Sequence, residues 1–121
     1  MTLGEVILPW PPRVLWPNDR ADRRRATTPR AKYRRDAWTL CLEAGLANLP
    51  HYAMHVAVTF CPPDLRRRDL DNMLAAIKAG LDGISLATSI DDSAWTLSIR
   101  RGAPAEGGCV LVRLEAPQGR A

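Results

Sequence analysis

Four aspartates fall in two short acidic motifs that could hold a divalent metal ion. Asp69 and Asp71 lie in the segment RRRDLDN at residues 66–72, and Asp91 and Asp92 follow Asp71 by about twenty residues. Carboxylate oxygens are the ligands that Mg²⁺ and Mn²⁺ prefer, and such an ion can hold a substrate phosphate and activate water for hydrolysis. The alternative is structural, because an aspartate at a helix N-terminus caps the helix and complements its dipole.

The sequence alone does not bring the two acidic motifs together. A helix predicted between them separates their ends by about 20 Å, at 1.5 Å per residue over about 14 residues. The segment SLATSI at residues 85–90 could span that distance if it were extended, and would then return Asp92 to Asp69 and Asp71. Carboxylates at such close range repel one another unless they are protonated or bridged by a cation. Convergence of the motifs would therefore imply a bound metal ion.

Lys78 is a candidate catalytic residue beside the first acidic motif. It follows Asp71 by seven positions, which places both residues on about the same face of one helix, two turns apart. In that position Lys78 could contact a substrate phosphate or hydrogen-bond the attacking water. The spacing fits an ordinary surface ion pair with Asp82 slightly better. His51 and His55 have no Cys or Asp at ligand spacing, so packing or surface roles are favoured over zinc binding.

Positive charge is concentrated in one part of the chain. Residues 13–35 carry a net charge of +7, whereas the remaining residues sum to −3. A cluster rich in arginine favours binding to a polyanion, with an affinity that falls steeply as salt rises. The alternative is a solvated loop. The candidate DNA-binding residues are Arg13, Arg20, Arg23, Arg24, Arg25, Arg30, Lys32, Arg34 and Arg35 in this segment and Arg66, Arg67 and Arg68 beside the aspartates.

Four strands are predicted from short apolar or alternating runs. They are expected at residues 5–8, 52–60, 95–100 and 109–114, and the turn GAPAEGG gives the last two the character of a hairpin. The second strand alternates imperfectly, with Met54, Val56, Val58 and Phe60 on one face, and is expected to be mostly buried.

Two helices are predicted between these strands. The first is expected to begin at the Thr28 cap and Pro29, after a basic loop over about residues 13–28, and to end near residue 48. Its core-facing stripe is Tyr33, Ala37, Leu40 and Ala44. The second is expected over residues 70–84, where apolar residues recur at helical spacing. The expected fold class is therefore α+β, a small mixed sheet packed with two helices in the order β-α-β-α-β-β.

Length and composition exclude several classes of protein. The 121 residues form a single expected domain, and 46% hydrophobic with 25% charged residues is ordinary for a soluble globular protein. No apolar run approaches the length of a membrane span, and an acidic residue near the start argues against a signal peptide, so a cytoplasmic protein without membrane contact is expected. Three widely spaced cysteines predict neither a disulfide framework nor a zinc knuckle. Nucleophile-elbow, P-loop and dinucleotide-binding motifs are absent from the sequence.

Five motifs occur along the chain in a consistent order. They are LPWPP near the start, PN-x-R at residues 17–20, RRRDLDN at 66–72, K-x-x-x-D at 78–82 and DDS at 91–93. In order and spacing they resemble the RusA family of Holliday-junction resolvases, small endonucleases often carried by phages and prophages. The resemblance covers nearly the whole chain.

The resemblance implies a RusA-like fold and a homodimer that binds branched DNA. Such an enzyme resolves four-way junctions in recombination and repair by paired, symmetric nicks, through phosphodiester hydrolysis that depends on Mg²⁺ or Mn²⁺. It also implies a metal site of Asp69, Asp71 and Asp92, with Asp91 as a neighbour and Asp92 folded back to the other two. The family's catalytic lysine, four residues after the second aspartate, is replaced here by Ala75, and Lys78 follows one helical turn later.

Two other functions are compatible with the sequence. One is a basic DNA-binding module with weak or no cleavage, whose aspartates are helix caps and loop charges. The other is a metal-dependent nuclease or phosphoesterase that acts on RNA, on other branched nucleic acids or on small phosphate esters.

Overall fold

A computed structural model describes the backbone of residues 1–17 and 23–117, and the side chains of these residues except 23–26. Four of the candidate DNA-binding residues are affected. Arg20 lies outside the described residues, as do the side chains of Arg23, Arg24 and Arg25.

The chain forms a mixed α+β fold, as the sequence predicts, with a four-stranded sheet and three helices. Two short 3-10 turns, Arg13–Leu15 and Asp92–Ala94, precede α1 and β3. The helices and strands are β1 (Thr2–Pro9), α1 (Arg23–Glu43), β2 (Met54–Cys61), α2 (Leu70–Ala76), α3 (Lys78–Thr88), β3 (Trp95–Arg101) and β4 (Cys109–Glu115). None of the helices in the described part of the chain is long and apolar enough to cross a membrane.

The strands lie in the order β1-β4-β2-β3, with β2 and β3 parallel and the other pairs antiparallel. The predicted hairpin between β3 and β4 is therefore wrong, because β2 lies between these strands. The connection crosses the end of β2 instead. The Gly102 amide donates to the Phe60 carbonyl at 2.8 Å, and the Ala105 amide donates to the Pro62 carbonyl at 2.9 Å.

The core lies between one face of the sheet and the helices. The alternation predicted for β2 is confirmed, since Met54, Val56, Val58 and Phe60 are all buried. Helices α1 and α3 pack closely, because Gly83 has no side chain. A Cβ atom added at Gly83 would lie 2.2 Å from the backbone oxygen of Arg34.

Helix α1 begins earlier than predicted. It starts at Arg23, so Thr28 is not its cap and Pro29 lies inside the helix. A proline this close to the N-terminus removes one backbone hydrogen bond but does not end the helix. Tyr33 and Ala37 are buried as expected, whereas Ala44 is exposed and lies beyond the last residue of α1.

The helix predicted over residues 70–84 is two helices. Ile77 separates α2 from α3 with φ −102° and ψ 8°, outside the α-helical region. Asp71 and Lys78 therefore do not lie on one face of one helix. Helix α3 continues to Thr88, so most of the segment at residues 85–90 is helical. The extended path that could have returned Asp92 to Asp69 is therefore not formed.

Two of the three cysteines are neighbours despite their separation in sequence. Cys61 and Cys109 are cross-strand partners of β2 and β4, and both thiols are free. Burial, with Cys61 alongside, raises the pKa of the Cys109 thiol. Cys41 is buried in the core, and burial raises the pKa of its thiol to about 11.

Candidate acidic site and nucleic-acid interface

The sheet has two ends, and the loops around them carry the candidate site residues. At one end, here called the upper end, Pro9 pairs with Cys109 and Cys61 pairs with Cys109 from the other side. Arg101 pairs with Phe60 at the same end. At the opposite, lower end, Met54 of β2 pairs with Trp95 of β3. Parallel strands β2 and β3 therefore both finish at the upper end.

The loop from β2 to α2 is held at the upper end by Arg68. The Arg68 Nη1 atom lies 2.9 Å from Asp64 Oδ1 and donates to the Arg66 carbonyl at 3.1 Å. The guanidinium carbon lies 5.5 Å from the centre of the Trp10 ring, over its face. This is a cation–π contact, in which the ring face attracts the positive charge of Arg68. The Arg68 side chain is only 16% exposed. It therefore stabilises the loop and offers little surface to DNA, unlike the exposed role predicted from the sequence.

Arg101 of β3 and Trp10, which directly follows β1, fix the same loop. Arg101 Nη2 donates to the Arg68 carbonyl at 2.9 Å, next to Asp69. Trp10 packs against Trp16 with ring centroids 5.7 Å apart, and a Cβ atom at Gly108 would lie 3.0 Å from Trp10. The roles of Trp10 and Arg101 were not expected from the sequence. The motif LPWPP contained Trp10, but no spacing rule links it to Arg68.

Asp69 and Asp71 emerge from this fixed loop with exposed side chains. Asp69 occupies the N-cap position of α2, yet its side chain makes no capping hydrogen bond. Asp71 lies in the first turn of α2, and its Oδ1 atom accepts a hydrogen bond from the Asn72 amide at 3.0 Å. Side-chain capping therefore does not account for Asp69, and both carboxylates are open to a ligand.

Asp91 and Asp92 lie at the lower end, just before β3. The Asp91 carboxylate accepts hydrogen bonds from the hydroxyl and the amide of Ser93, the latter at 3.0 Å. These hydrogen bonds lower the pKa of Asp91. Asp91 is thus the cap of the 3-10 turn, whereas the exposed Asp92 has no capping role.

The first and second acidic motifs are therefore separated within one chain. The seven residues of β3, at roughly 3.3 Å per residue, put about 20 Å between the two ends of the sheet. Among residues 1–17 and 23–117, no three His, Cys, Asp or Glu side chains form a group that could hold a metal ion. One copy of the chain brings Asp69 and Asp71 together and leaves Asp92 at the far end.

Lys78 is exposed at the start of α3. Within the described side chains it makes no ion pair with Asp82, which the sequence slightly favoured. His55 lies on the sheet face away from the helices, where its ring nitrogens hydrogen-bond the hydroxyls of Thr96 and Ser98 at 2.7 and 3.0 Å.

The basic half of α1 starts at the upper end. The Tyr33 hydroxyl donates to the Pro9 carbonyl at 2.7 Å, and the Asn48 amide beyond α1 donates to the Ala87 carbonyl near the lower end. Helix α1 thus runs from the upper to the lower end, with its N-terminal half nearer Asp69. The predicted DNA-binding residues with exposed side chains in α1 and around the upper end are Arg13, Arg30, Lys32, Arg34, Arg35, Arg66 and Arg67, of which Lys32 also pairs with Asp36 at 2.6 Å.

Replacement of Asp64 by Asn is expected to make the stability of the protein less sensitive to acid. Hydrogen bonds from Arg68 and from the Arg66 amide hold the pKa of the Asp64 carboxyl below its usual range. A lowered folded-state pKa stabilises the fold above the unfolded-state pKa, and this is lost as the pH falls through the folded-state value. Thermal melts between about pH 2 and 6 should show wild type slightly more stable than the variant near pH 6 and equal to it at the acid limit. Glu106→Gln, at an exposed site in the β3–β4 connection, is the control. A constant difference at all pH values would contradict the role of Asp64.

Comparison with known proteins finds a relative whose activity is not stated. No protein-family model matches the chain. An uncharacterized protein of Xylella fastidiosa (strain Temecula1 / ATCC 700964) is 35% identical over 93 residues, which cover 74% of this chain and 61% of that protein. The chain thus spans less than two thirds of the length of this relative, whose name states no activity.

Proposed function

We propose that this protein is a Mg²⁺- or Mn²⁺-dependent endonuclease of the RusA type, which acts in the cytoplasm as a homodimer on four-way DNA junctions. The proposal rests on the exposure and the position of the Asp69 and Asp71 carboxylates. Both carboxylates are exposed, and the Asp69 side chain caps nothing. Asp69 directly follows the loop that Arg68, Trp10 and Arg101 fix in place, and Asp71 lies in the first turn of α2. A rigid acidic pair beside a basic surface fits the hydrolysis of a polyanion better than a structural role does.

The site requires two protomers. One chain offers two carboxylates at its upper end, which is fewer than the three that the RusA resemblance implies. Asp92 has no capping role, but it lies about 20 Å away along β3. We therefore assign the third ligand to the partner's Asp92, so that a dimer has two equivalent sites. A two-fold dimer also suits a junction, because each subunit can cut one of two equivalent strands.

The residues present fit a hard cation, since every proposed ligand is a carboxylate oxygen. Asp69 and Asp71, with the partner's Asp92, would hold Mg²⁺ or Mn²⁺, which supplies charge neutralisation and a more acidic bound water. Arg66 and Arg67 would bind the phosphates that flank the cut, and the exposed side chains of α1 would bind the DNA further along. Lys78, which is exposed at the start of α3, would contact a substrate phosphate.

A nicking assay on a synthetic four-way junction tests this proposal. With Mg²⁺ or Mn²⁺ the protein is expected to produce paired symmetric nicks, and a chelator is expected to abolish them while binding persists. Linear duplex and RNA of matched length at the same salt concentration are the control substrates. Equal cleavage of RNA or of a small phosphate ester would instead favour a broader phosphoesterase.

A basic DNA-binding module without cleavage is the second candidate. It is favoured by Ala75, which stands where the RusA pattern has its catalytic lysine, and by the separation of Asp92 from the other aspartates in one chain. This candidate predicts tight junction binding without any metal-stimulated product. The same assay therefore separates the two functions.

A further inference from the structure

Two cysteine thiols that the proposed function does not use lie side by side at the upper end of the sheet. Cys61 ends β2, and Cys109, which begins β4, is its partner in the antiparallel pair. Their neighbours Phe60 and Val110 are buried in the core. Because successive side chains of a strand point to opposite faces, both thiols project from the face of the sheet away from the helices.

The backbone register puts the two thiols within reach of a disulfide bond. The Phe60 carbonyl accepts a hydrogen bond from the Gly102 amide, on the β3 side of β2. Successive residues of a strand direct their backbone groups to opposite edges, so those of Cys61 face β4. Cys61 and Cys109 therefore form a hydrogen-bonded pair, whose Cα atoms are typically about 5.5 Å apart. Disulfide-bonded cysteines most often have Cα atoms at about this separation, and the two thiols are already hydrogen-bonded to each other.

The surroundings of the pair leave space for the sulfur atoms and access from solution. Gly102 makes room for Cys61, since a Cβ atom at Gly102 would lie 2.9 Å from the Cys61 Sγ atom. Cys61 is buried, whereas Cys109 is partly exposed, so a reagent in solution reaches Cys109 first. The third cysteine, Cys41, is buried in the core within α1 and provides an internal control.

We propose that Cys61 and Cys109 are an oxidative modification site, at which a low-molecular-weight disulfide such as oxidised glutathione converts the two thiols to an intramolecular disulfide bond. The Cys109 thiolate attacks one sulfur of oxidised glutathione, which breaks the glutathione S–S bond, forms a mixed disulfide and releases one glutathione thiol. The Cys61 thiolate then attacks the Cys109 sulfur and releases the second glutathione thiol. The cysteine pair loses two electrons and two protons, and the oxidant is reduced to two thiols. This inference does not depend on the proposed function.

The new bond would lie at the base of the loop that leads to Asp69. This loop begins directly after Cys61. On the other side of the pair, Gly108 precedes Cys109, and a Cβ atom at Gly108 would lie 2.9 Å from Pro63 in the same loop. Cys61 and Cys109 are the last pair of the β2–β4 ladder, and the ends of such elements open more readily than their centres. The disulfide would hold the loop covalently to β4.

The raised pKa of Cys109 affects both the equilibrium and the rate of this reaction. Burial and the neighbouring Cys61 raise the pKa, so the environment does not stabilise the thiolate, which would favour the reduced pair. The same shift lowers the fraction of the attacking thiolate, so oxidation should be slow. The test is therefore made at equilibrium.

Thiol mapping after equilibration in glutathione buffers tests whether the bond forms. Reduced protein is incubated at increasing ratios of oxidised to reduced glutathione, free thiols are blocked with N-ethylmaleimide, and the peptides are identified by mass spectrometry. We expect a peptide that links Cys61 to Cys109 within one chain, with Cys41 blocked as a free thiol. Cys61→Ser should stop at a single glutathione adduct on Cys109. Free Cys61 and Cys109 at the most oxidising ratio would overturn the proposal, as would a link that involves Cys41.

Thermal melts and limited trypsin digestion test whether the bond holds the loop. Oxidised wild type should have a Tm about 5–15 °C above that of the reduced protein, because the bond constrains a long segment of the unfolded chain. Trypsin cleavage after the exposed Arg66 and Arg67 should slow several-fold. Cys109→Ser is the control and should behave identically in both conditions. An equal shift in Cys109→Ser, or a wild-type disulfide that changes neither Tm nor digestion, would refute the role of the bond in holding the loop.

Discussion

Replacement of Asp71 by Asn is expected to slow junction cleavage by about 100-fold or more, while the affinity for the junction changes little. The substitution keeps the shape of the side chain and removes its charge. A metal site that loses one charged ligand loses several kcal/mol of transition-state stabilisation, and about 2.7 kcal/mol corresponds to 100-fold. The carboxylate is exposed and makes a single local hydrogen bond to the Asn72 amide, so the fold should persist.

The second acidic motif provides a matched comparison for this prediction. Asp92→Asn should lower cleavage as much as Asp71→Asn does. Asp91→Asn should lower it far less, because Asn caps a helical turn about as well as Asp and Asp91 is the residue that accepts from Ser93. Single-turnover cleavage with saturating protein gives the rates, and a gel-shift titration in chelator gives the affinities. A metal-supplied Asp71→Asn protein with full activity would refute the proposed site.

Replacement of Gly83 by Ala is expected to destabilise the protein by about 1–3 kcal/mol, or about 4–12 °C in Tm. Alanine gains up to about 1 kcal/mol over glycine within a helix. Against this, the new Cβ atom would lie 2.2 Å from the Arg34 carbonyl oxygen and 3.1 Å from the Ala37 Cβ. A backbone atom cannot rotate out of the way, so α1 and α3 must separate, and the clash outweighs the gain.

Thermal melts followed by circular dichroism measure this effect. Leu86→Ala on the same helix is the control, because Leu86 is 64% exposed and surface changes usually stay within about 0.5 kcal/mol. An unchanged or higher Tm for Gly83→Ala would mean that the two helices are not in such close contact. Helix α1 carries three of these exposed arginines, Arg30, Arg34 and Arg35, so under the proposed function the variant should also bind DNA more weakly.

The strands were predictable because their burial pattern is local. The alternation from Met54 to Phe60 follows directly from a half-buried strand, and all four inward residues are buried. The break at Ile77 was not predictable. Ile77 is itself buried and continues the apolar stripe of the helix, so hydrophobic periodicity does not register its change of backbone conformation. No glycine or proline marks the site.

Other differences arise from contacts between distant residues. The glycine-rich turn after β3 has the composition of a hairpin, but composition does not reveal that β2 lies between β3 and β4. The start of α1 was misplaced because Thr28-Pro29 resembles a helix start, while the polar residues before it are also helical.

The acidic site was predictable in part. Residue type indicated all four aspartates of the two motifs, and the resemblance selected Asp69, Asp71 and Asp92 among them. The helical estimate of about 20 Å between the motifs agrees with their positions at opposite ends of the sheet. The contact of Arg68 with Trp10 joins residues far apart in the chain, and the local sequence around either residue does not predict it.

The strand order also constrains how the protein can acquire its structure during synthesis. Strand β4 lies between β1 and β2, so β1 has no neighbour in this sheet until β4, which follows the other three strands in the chain, has been made. Met1 accepts a hydrogen bond from the Ala116 amide at 2.8 Å, which closes the sheet across almost the entire described sequence. Contacts of such high sequence separation slow folding. A nascent chain that lacks β4 would expose β1 and the inner edge of β2, and is therefore expected to depend on chaperones or to be degraded.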